Sequence, residues 1–288
     1  MIASSNRTRF ALRGAALTYI GVLVLAPLAL IFYRATEEGL GGLVDAMTTP
    51  DAISAFKLTL ITVAIAVPLN TIFGVACALL LVRRRFFGRS FINAVIDLPF
   101  ALSPVVIGLS LLLVYSEEGW LGFIARNGFE IIFSTPGIVM ACMFVSLPFV
   151  VRETMPVLRE IGTEQEQAAS TLGASSWQTF WRVTLPSIRW GVGYGVVLTT
   201  ARVLGEFGAV SVVSGSIAGE TRTLPLFVEA QFRDFNPAGY LGATIVLALL
   251  AFMALFAMQL VGRRADTVQT GGVAVLAKEG TEPKETVE

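Results

Sequence analysis

The stretch 164-EQEQAASTLGASSWQTFWRVTLPSI-188 is a polar segment within a chain that is otherwise strongly apolar. It opens on glutamates, glutamines and small residues, contains Gly173, and ends at Leu185 and Pro186. Ala168 and Ala169 are small, so a helix at this point can lie close to the surface of another protein. Gly173 permits a left-handed turn that a side chain would resist. The stretch therefore predicts a short docking helix followed by a sharp turn.

Aromatic residues dominate the second half of this stretch. Trp177, Phe180, Trp181 and Thr184 are spaced at i, i+3, i+4 and i+7, which predicts a second short helix with an aromatic face. Such a face suits the membrane interface, where tryptophan is enriched. Pro186 either ends this helix or begins the next span. An ordinary amphipathic connector is the alternative interpretation of the same pattern.

The composition is that of a membrane protein. Of the 288 residues, 55% are hydrophobic and 15% are charged, whereas about a quarter of the residues in a soluble domain are charged. The chain has no histidine, which removes histidine metal ligands and the Ser-His and Cys-His nucleophile pairs. Cys77 and Cys142 lie in apolar runs without chelating spacing. We therefore expect no metal site, no catalytic residue and no cofactor bound by this chain.

Six apolar runs predict about six transmembrane helices in an all-α protein. They cover residues 15–33, 58–82, 99–115, 136–151, 191–213 and 239–261. The first run is too long for the apolar region of a signal peptide and ends in bulky residues, so a retained span is favoured. We expect a short terminus at 1–14, a single transmembrane domain at 15–262, and a disordered tail at 263–288.

The distribution of lysine and arginine predicts the orientation of these spans. The N-terminus, the 83–90 loop, the 152–190 loop and the tail together hold 15 of the 21 basic residues. Because basic loops stay on the cytoplasmic side, both termini and the 164–188 stretch are predicted to be cytoplasmic. The loops at 34–57, 116–135 and 214–238 then face outward, and they carry ten acidic residues.

Two charged residues lie inside the fifth predicted span. Arg202 and Glu206 are four positions apart, so they share one face of a helix. A charge within a membrane costs at least a few kcal/mol unless it has a partner or water, and such residues are functional candidates. Arginine offers a planar fork to tetrahedral oxyanions. A pair on the translocation pathway and a structural ion pair that fixes helix packing remain equally open. Ser103 and Pro104, where the third span is broken, are further candidates for the pathway.

The spacing of the first stretch resembles a loop of a known transporter family. Gln167-Ala168-Ala169, Gly173 and Val183-x-Leu185-Pro186 match the EAA loop of ABC importer permeases, which reads E-A-A, three residues, G, nine residues, I-x-L-P. Gln167 and Val183 depart from that pattern by replacing Glu and Ile. Glu164 and Glu166 lie alongside and could supply the missing charge.

A second resemblance narrows the family to oxyanion permeases. The segment 202-RVLGEFGA-209 is similar to the RxxGEFGA segment of permeases for sulfate, thiosulfate and molybdate. The flanking 182-RVTLPSIRWGVGYGVVLT-199 and 211-SVVSGSIAGETRTLPL-226 resemble sulfate and thiosulfate permease subunits in particular, as do 96-IDLPFALSPVVIG-108 and 66-AVPLNTIFG-74.

These resemblances imply a type I ABC importer permease fold with a cytoplasmic coupling loop, in the inner membrane of a prokaryote. The implied partners are a second permease subunit of the CysT type, two ATPase subunits of the CysA type and an extracytoplasmic sulfate-binding protein. ATP and Mg would be bound by the ATPase, since the chain has no GxxxxGK[ST] motif. The implied ATPase-coupling residues are Glu164, Glu166, Gln167, Ala168, Ala169, Gly173, Leu185 and Pro186.

Other functions remain as alternatives. A permease for molybdate, tungstate or another oxyanion would share the GEFGA segment. A proton-coupled secondary transporter could use Glu206 and Asp97 as proton carriers, although this leaves the EAA spacing unexplained. An intramembrane enzyme lacks a recognisable pair of catalytic acids, and nothing in the sequence indicates binding to nucleic acid.

Overall fold

The computed structural model describes the backbone of residues 6–279, and every regular element in this range is helical. The first half holds α1 (Asn6–Ile20), α2 (Ala26–Met47), α3 (Pro50–Arg83), α4 (Arg89–Ala101), α5 (Pro104–Tyr115) and α6 (Gly122–Arg126). The second half holds α7 (Thr135–Glu160), α8 (Glu164–Thr171), α9 (Ser176–Thr179), α10 (Leu185–Leu204), α11 (Gly208–Val213), α12 (Leu224–Arg233) and α13 (Pro237–Glu279).

Two π-helical turns join neighbouring helices without a break. One covers Gly21–Leu25 between α1 and α2, and the other covers Phe180–Thr184 between α9 and α10. Each turn ends two residues before a proline, Pro27 in the first case and Pro186 in the second. Since proline has no N–H for the usual bond to residue i−4, the wider turn accommodates the lost hydrogen bond. Pro186 therefore begins the next helix, which was one of the two predicted alternatives.

Helices α3, α7 and α10 pack together at the centre of the molecule. Small residues allow this close packing: a Cβ at Gly74 would lie 2.7 Å from the Cβ of Val150, and one at Gly195 would lie 2.8 Å from the Cα of Val150. Close approach through small residues is how helices pack where lipid removes the hydrophobic driving force. Helix α13 lies outside this core against α2, α10 and α12.

Four stretches within the described residues are long and apolar enough to cross a membrane. They are Leu12–Met47, Pro50–Arg83, Thr135–Glu160 and Pro237–Ala257, and the bent pair α4–α5 counts as a fifth if it forms one span. The fifth predicted span falls on α10, a helix of 20 residues whose arginines and glycines lower its hydropathy. The prediction of a multi-pass helical membrane protein is thus confirmed, and the count of six depends on α10.

The third and fifth predicted spans are each divided between two helices in the structure. Residues 99–115 do not form one continuous helix, because α4 and α5 meet at a bend of 114°. Ser103 has an extended backbone, as expected for a residue that precedes proline. Residues 191–213 are also split, because α10 ends at Leu204 and α11 begins at Gly208. Glu206 therefore lies beyond the end of the helix that carries Arg202.

Two helices extend beyond the fourth and sixth predicted spans. Helix α7 continues past residue 151 through Arg152 and Glu153, because charged residues need not end a helix. Helix α13 continues past residue 261 to Glu279, so the predicted disordered tail from 263 differs from the structure over this stretch. No proline interrupts the sequence between Pro237 and Glu279, and a helix can propagate through it. Residues 1–5 and 280–288 lie outside the described part.

Candidate functional site

The short helix α8 presents its polar face to the surroundings. It contains no buried residue, and Glu164, Gln167 and Ala168 are exposed while Ala169 is half-buried. Gln167 donates from Nε2 to Thr163 Oγ1 at 3.1 Å, a bond within the loop itself. The helix is followed by Gly173, whose φ of +86° is the left-handed turn predicted from the sequence. An exposed helix with alanines on its surface can dock against another protein.

The aromatic half of the loop is also arranged as predicted. Ser175 and Gln178 form a capping box that starts α9, with the serine hydroxyl accepting from the Gln178 backbone N–H. Trp181 then packs edge to face against both Trp177 and Phe180, with ring centroids 5.5 Å and 5.3 Å apart. Trp177 and Trp181 remain mostly exposed. Their exposure on one side matches the predicted aromatic face.

Glu166 does not lie on the exposed face of α8. Its Oε1 accepts from Arg83 Nη2 at 3.2 Å and from Thr184 Oγ1 at 2.9 Å. Arg83 also donates to the carbonyl of Leu158 at 3.0 Å. The expectation that Glu166 could replace the missing charge at position 167 on the docking surface was therefore wrong, because α8 turns this side chain back toward the spans. Glu164 remains exposed.

The ends of the loop join the spans through a second, weaker contact. Ser187 Oγ donates to Gln165 Oε1 at 3.3 Å and to the carbonyl of Val183 at 2.6 Å. Leu185 and Pro186 form the first turn of α10, so the last residues of the EAA-like pattern start a span. The loop is therefore continuous with α10 on one side and separated from α7 by Gly162 on the other.

The Arg202–Glu206 ion pair forms although the helix between them ends. Arg202 Nη2 lies 2.9 Å from Glu206 Oε2, and the side chains are 33% and 1% exposed. Glu206 Oε1 also accepts from the backbone N–H of Ala209 at 2.9 Å, which satisfies a donor at the start of α11. The buried carboxylate therefore bridges α10 and α11. Its position requires a cation, and Arg202 supplies it.

The break between α4 and α5 lies directly against the segment that carries Glu206. A Cβ at Gly208 would come within 2.9 Å of the Cβ of Pro104, so only glycine fits beside the proline. A Cβ at Gly108 would lie 2.7 Å from the carbonyl oxygen of Ala209. Ser103 is exposed at the bend. The structure thus brings the two predicted pathway segments together, which their sequence separation does not indicate.

An apolar cavity of about 660 Å³ opens beside this bend. Its lining includes Leu102, Ser110 and Asn70. Asn70 donates to the carbonyl of Met143 at 3.0 Å and to Ser146 Oγ at 2.8 Å. Its Oδ1 has no hydrogen-bond partner among the described residues. The cavity wall is therefore mainly apolar, and the amide oxygen of Asn70 is buried beside it without a partner among the described residues.

The sequence analysis missed an ion pair between α4 and α7. Arg152 donates from Nε to Asp97 Oδ1 at 2.7 Å and also contacts Oδ2, so the pair is bidentate. Its Nη2 donates to the carbonyl of Asn93 at 3.3 Å. The only signal in the sequence was the presence of Asp97 near a span, and its partner lies 55 positions away. The pair fixes the first arm of the bent α4–α5 unit to α7.

No group of three or more Cys, Asp or Glu side chains suited to a metal ion occurs in the part of the chain that the structure describes. Cys77 and Cys142 are free thiols, the latter buried. The expectation that this chain binds no cofactor stays a prediction.

Comparison with known proteins finds a family of transport-system membrane components and two similar sulfate permeases. Residues 70–267 match the family described as binding-protein-dependent transport system inner membrane component. The chain is 49% identical over 259 residues to the sulfate transport system permease protein CysW of Synechocystis sp. (strain ATCC 27184 / PCC 6803 / Kazusa), covering 90% of this chain and 94% of that relative. It is 37% identical over 237 residues to the sulfate transport system permease protein CysT of Escherichia coli (strain K12), covering 82% and 86%.

The fold also matches a solved transporter. A crystal structure of a bacterial ABC transporter involved in the import of the acidic polysaccharide alginate superposes with a TM-score of 0.73 at 15% identity, covering 88% of this chain and 94% of the other. Identity at this level shows the fold alone. The predicted permease fold is confirmed by this match together with the family match.

Proposed function

Because the chain belongs to the family of binding-protein-dependent transport system inner membrane components, we propose that it is the permease subunit of an ATP-driven sulfate and thiosulfate importer. The assignment of sulfate as the transported anion rests on the 49% identity, over 90% of the chain, to a sulfate permease. The chain forms half of the translocation pathway and carries out no covalent chemistry of its own. ATP and Mg bind to a separate subunit.

The geometry of α8 supports coupling to an ATPase. The helix exposes Gln167 and Ala168, and the small alanine lets a partner surface approach closely. Two ATPase subunits of the CysA type would dock there, one on this chain and one on a sister permease of the CysT type. Closure of the ATPase dimer would move both coupling helices and open the pathway outward. The extracytoplasmic sulfate-binding protein would then deliver the anion at the opposite face.

Placement of α8 on the cytoplasmic side is part of this proposal. It rests on the bias of basic residues, 15 of 21 of which fall in the segments assigned to that side. Both termini are then cytoplasmic, and the protein lies in the inner membrane of a prokaryote. The loop around Arg222 faces outward, where Arg222 Nη1 binds Asp51 Oδ2 at 2.6 Å and fixes the loop to the start of α3.

The test is uptake of labelled sulfate into proteoliposomes that contain this chain, its sister permease, the ATPase and the binding protein. We expect uptake that requires ATP and is inhibited by excess thiosulfate but not by excess molybdate. Inhibition by molybdate would instead support the second candidate, a permease for molybdate, tungstate or a broader set of oxyanions. Uptake that persists without ATP and is abolished by an uncoupler would support a proton-coupled transporter.

A further inference from the structure

Neither the backbone at its two ends nor apolar packing holds helix α8 firmly against the spans. It has no buried residue, and glycines with positive φ flank it, Gly162 at +62° and Gly173 at +86°. A cleft of about 410 Å³ separates it from the ends of the spans, with Arg83, Ser170 and Thr184 among its lining. Glycine turns at both ends and a cleft behind it leave α8 free to pivot unless side chains hold it.

Glu166 is the side chain that holds it most firmly. One carboxylate oxygen accepts from Arg83 on α3 and from Thr184 in the turn that leads into α10. The other carboxylate oxygen lies 3.1 Å from Arg83 Nε. Arg83 in turn donates to the carbonyl of Leu158 in the last turn of α7. A single carboxylate thus connects the docking helix to the ends of all three central helices.

The chemistry of this contact suits the transmission of force. The Arg83 and Glu166 side chains are 15% and 22% exposed, so the pair is largely shielded from water and salt. Hydrogen bonds between ionised groups are about twice as strong as neutral ones. Among the described residues, a second side-chain hydrogen bond between α8 and the spans, 3.3 Å from Ser187 to Gln165, is neutral and exposed.

We propose that Glu166 is a positioning residue that transmits displacement of α8 to α3, α7 and α10 through Arg83 and Thr184. The inference rests on the proposed function, because it assumes that α8 docks on the ATPase. Glu166 acts through the spans and does not contact the transported anion. Loss of the link should therefore leave docking intact and lower the fraction of ATPase movement that reaches the pathway.

The experiment compares Glu166→Ala, Glu166→Gln and Thr184→Val in the full assembly with ATPase, sister permease and binding protein. Glu37→Gln is the control, because Glu37 forms an exposed ion pair with Arg34 at 3.1 Å within one helix. The measurements are the maximal ATPase rate stimulated by loaded binding protein, the concentration of binding protein that gives half of this rate, and sulfate uptake.

We expect Glu166→Ala to lower the maximal stimulated rate and uptake by about tenfold, within the usual range of coupling between sites. Glu166→Gln and Thr184→Val each remove part of the link and should lower both by roughly threefold to fivefold. The half-saturating concentration of binding protein should not change, because the outer face is untouched. If Glu166 only supported folding, its replacement would instead lower the yield of assembled complex by the same factor as the activity.

Wild-type-like stimulation and uptake in assembled Glu166→Ala would overturn the inference. If Glu166→Ala does not assemble, Thr184→Val decides, since it keeps the side-chain volume and removes only the hydroxyl donor; unchanged rates in that variant would equally overturn it. A wild-type assembly without ATP-dependent uptake would contradict the proposed function instead, so the two failures are distinguishable.

Discussion

At the scale of single residues, Arg202 and Glu206 have different surroundings although they form one ion pair. Glu206 is 1% exposed and accepts from the Ala209 N–H, so it stabilises the start of α11. Arg202 is 33% exposed, and its Nη2 lies 2.9 Å from Glu206 Oε2, whereas a guanidinium has five N–H donors. The guanidinium therefore keeps free donors that could meet an oxyanion. Replacement of Arg202 alone would therefore destabilise the fold, and this effect would add to any decrease in the rate of anion transport.

A double substitution separates these two contributions. Arg202→Gln leaves a buried carboxylate unpaired, which costs about 3–5 kcal/mol and should reduce the yield of folded protein. The double variant Arg202→Gln with Glu206→Gln removes both charges and keeps an amide oxygen to accept from Ala209. We expect the double variant to assemble normally but to transport sulfate at least about tenfold more slowly, as loss of a charge-assisted anion contact implies. Normal uptake by the assembled double variant would leave only the structural role.

The Asp97–Arg152 pair is predicted to act on stability. The two side chains are 42% and 29% exposed, so solvent screens the pair and its contribution should be about 1 kcal/mol. Asp97→Asn should lower the thermal midpoint of the detergent-purified protein by a few degrees, measured by intrinsic fluorescence. Glu229→Gln is the matched control, because the Glu229–Arg233 pair lies within one helix and ties no two elements together. Equal midpoints for the two variants would contradict a role for Asp97 in fixing α4 to α7.

At the scale of elements, the turn between α8 and α9 depends on Gly173. A side chain at φ +86° costs about 1–2 kcal/mol, so Gly173→Ala should distort the turn and misplace α8. We expect the purified variant to retain less ATPase than wild type after washing in detergent. Gly128→Ala is the control, since Gly128 has φ +89° and open space around it but lies in a different loop. Equal retention in both variants would show that the turn geometry does not matter for docking.

The elements also show where sequence reasoning succeeds. The glycine turn, the aromatic helix and the helix start at Leu185 and Pro186 follow from local rules, and all three are present. The sequence predicts an interruption at Ser103 within one span and no break after Leu204, because hydropathy averages over a window and does not register backbone direction. The packing of Pro104 against Gly208, and of Gly108 against Ala209, shows that the two breaks lie side by side.

At the scale of the whole molecule, composition and apolar runs predict a helical membrane protein, and the resemblance of two segments to known permeases predicts the family. They were not sufficient for the direction of Glu166, because a helix of eight residues has no apolar face to fix its rotation. That rotation is set by Arg83 and Thr184, which lie 83 and 18 positions away. Contacts between residues so far apart in the chain produce no periodic pattern in a single sequence. The same is true of Asp97 and Arg152.

The proposed orientation of the molecule in the membrane rests on the distribution of its basic residues and can be tested directly. We expect Glu164→Cys on α8 and Glu118→Cys in the loop after α5 to lie on opposite sides of the membrane, with α8 cytoplasmic. Both positions are exposed, and each cysteine would be introduced after replacement of Cys77 and Cys142 by alanine. A membrane-impermeant maleimide should label position 118 in right-side-out vesicles and position 164 in inverted vesicles. The reverse pattern would place α8 outside, where no ATPase could reach it, and would contradict coupling through this helix.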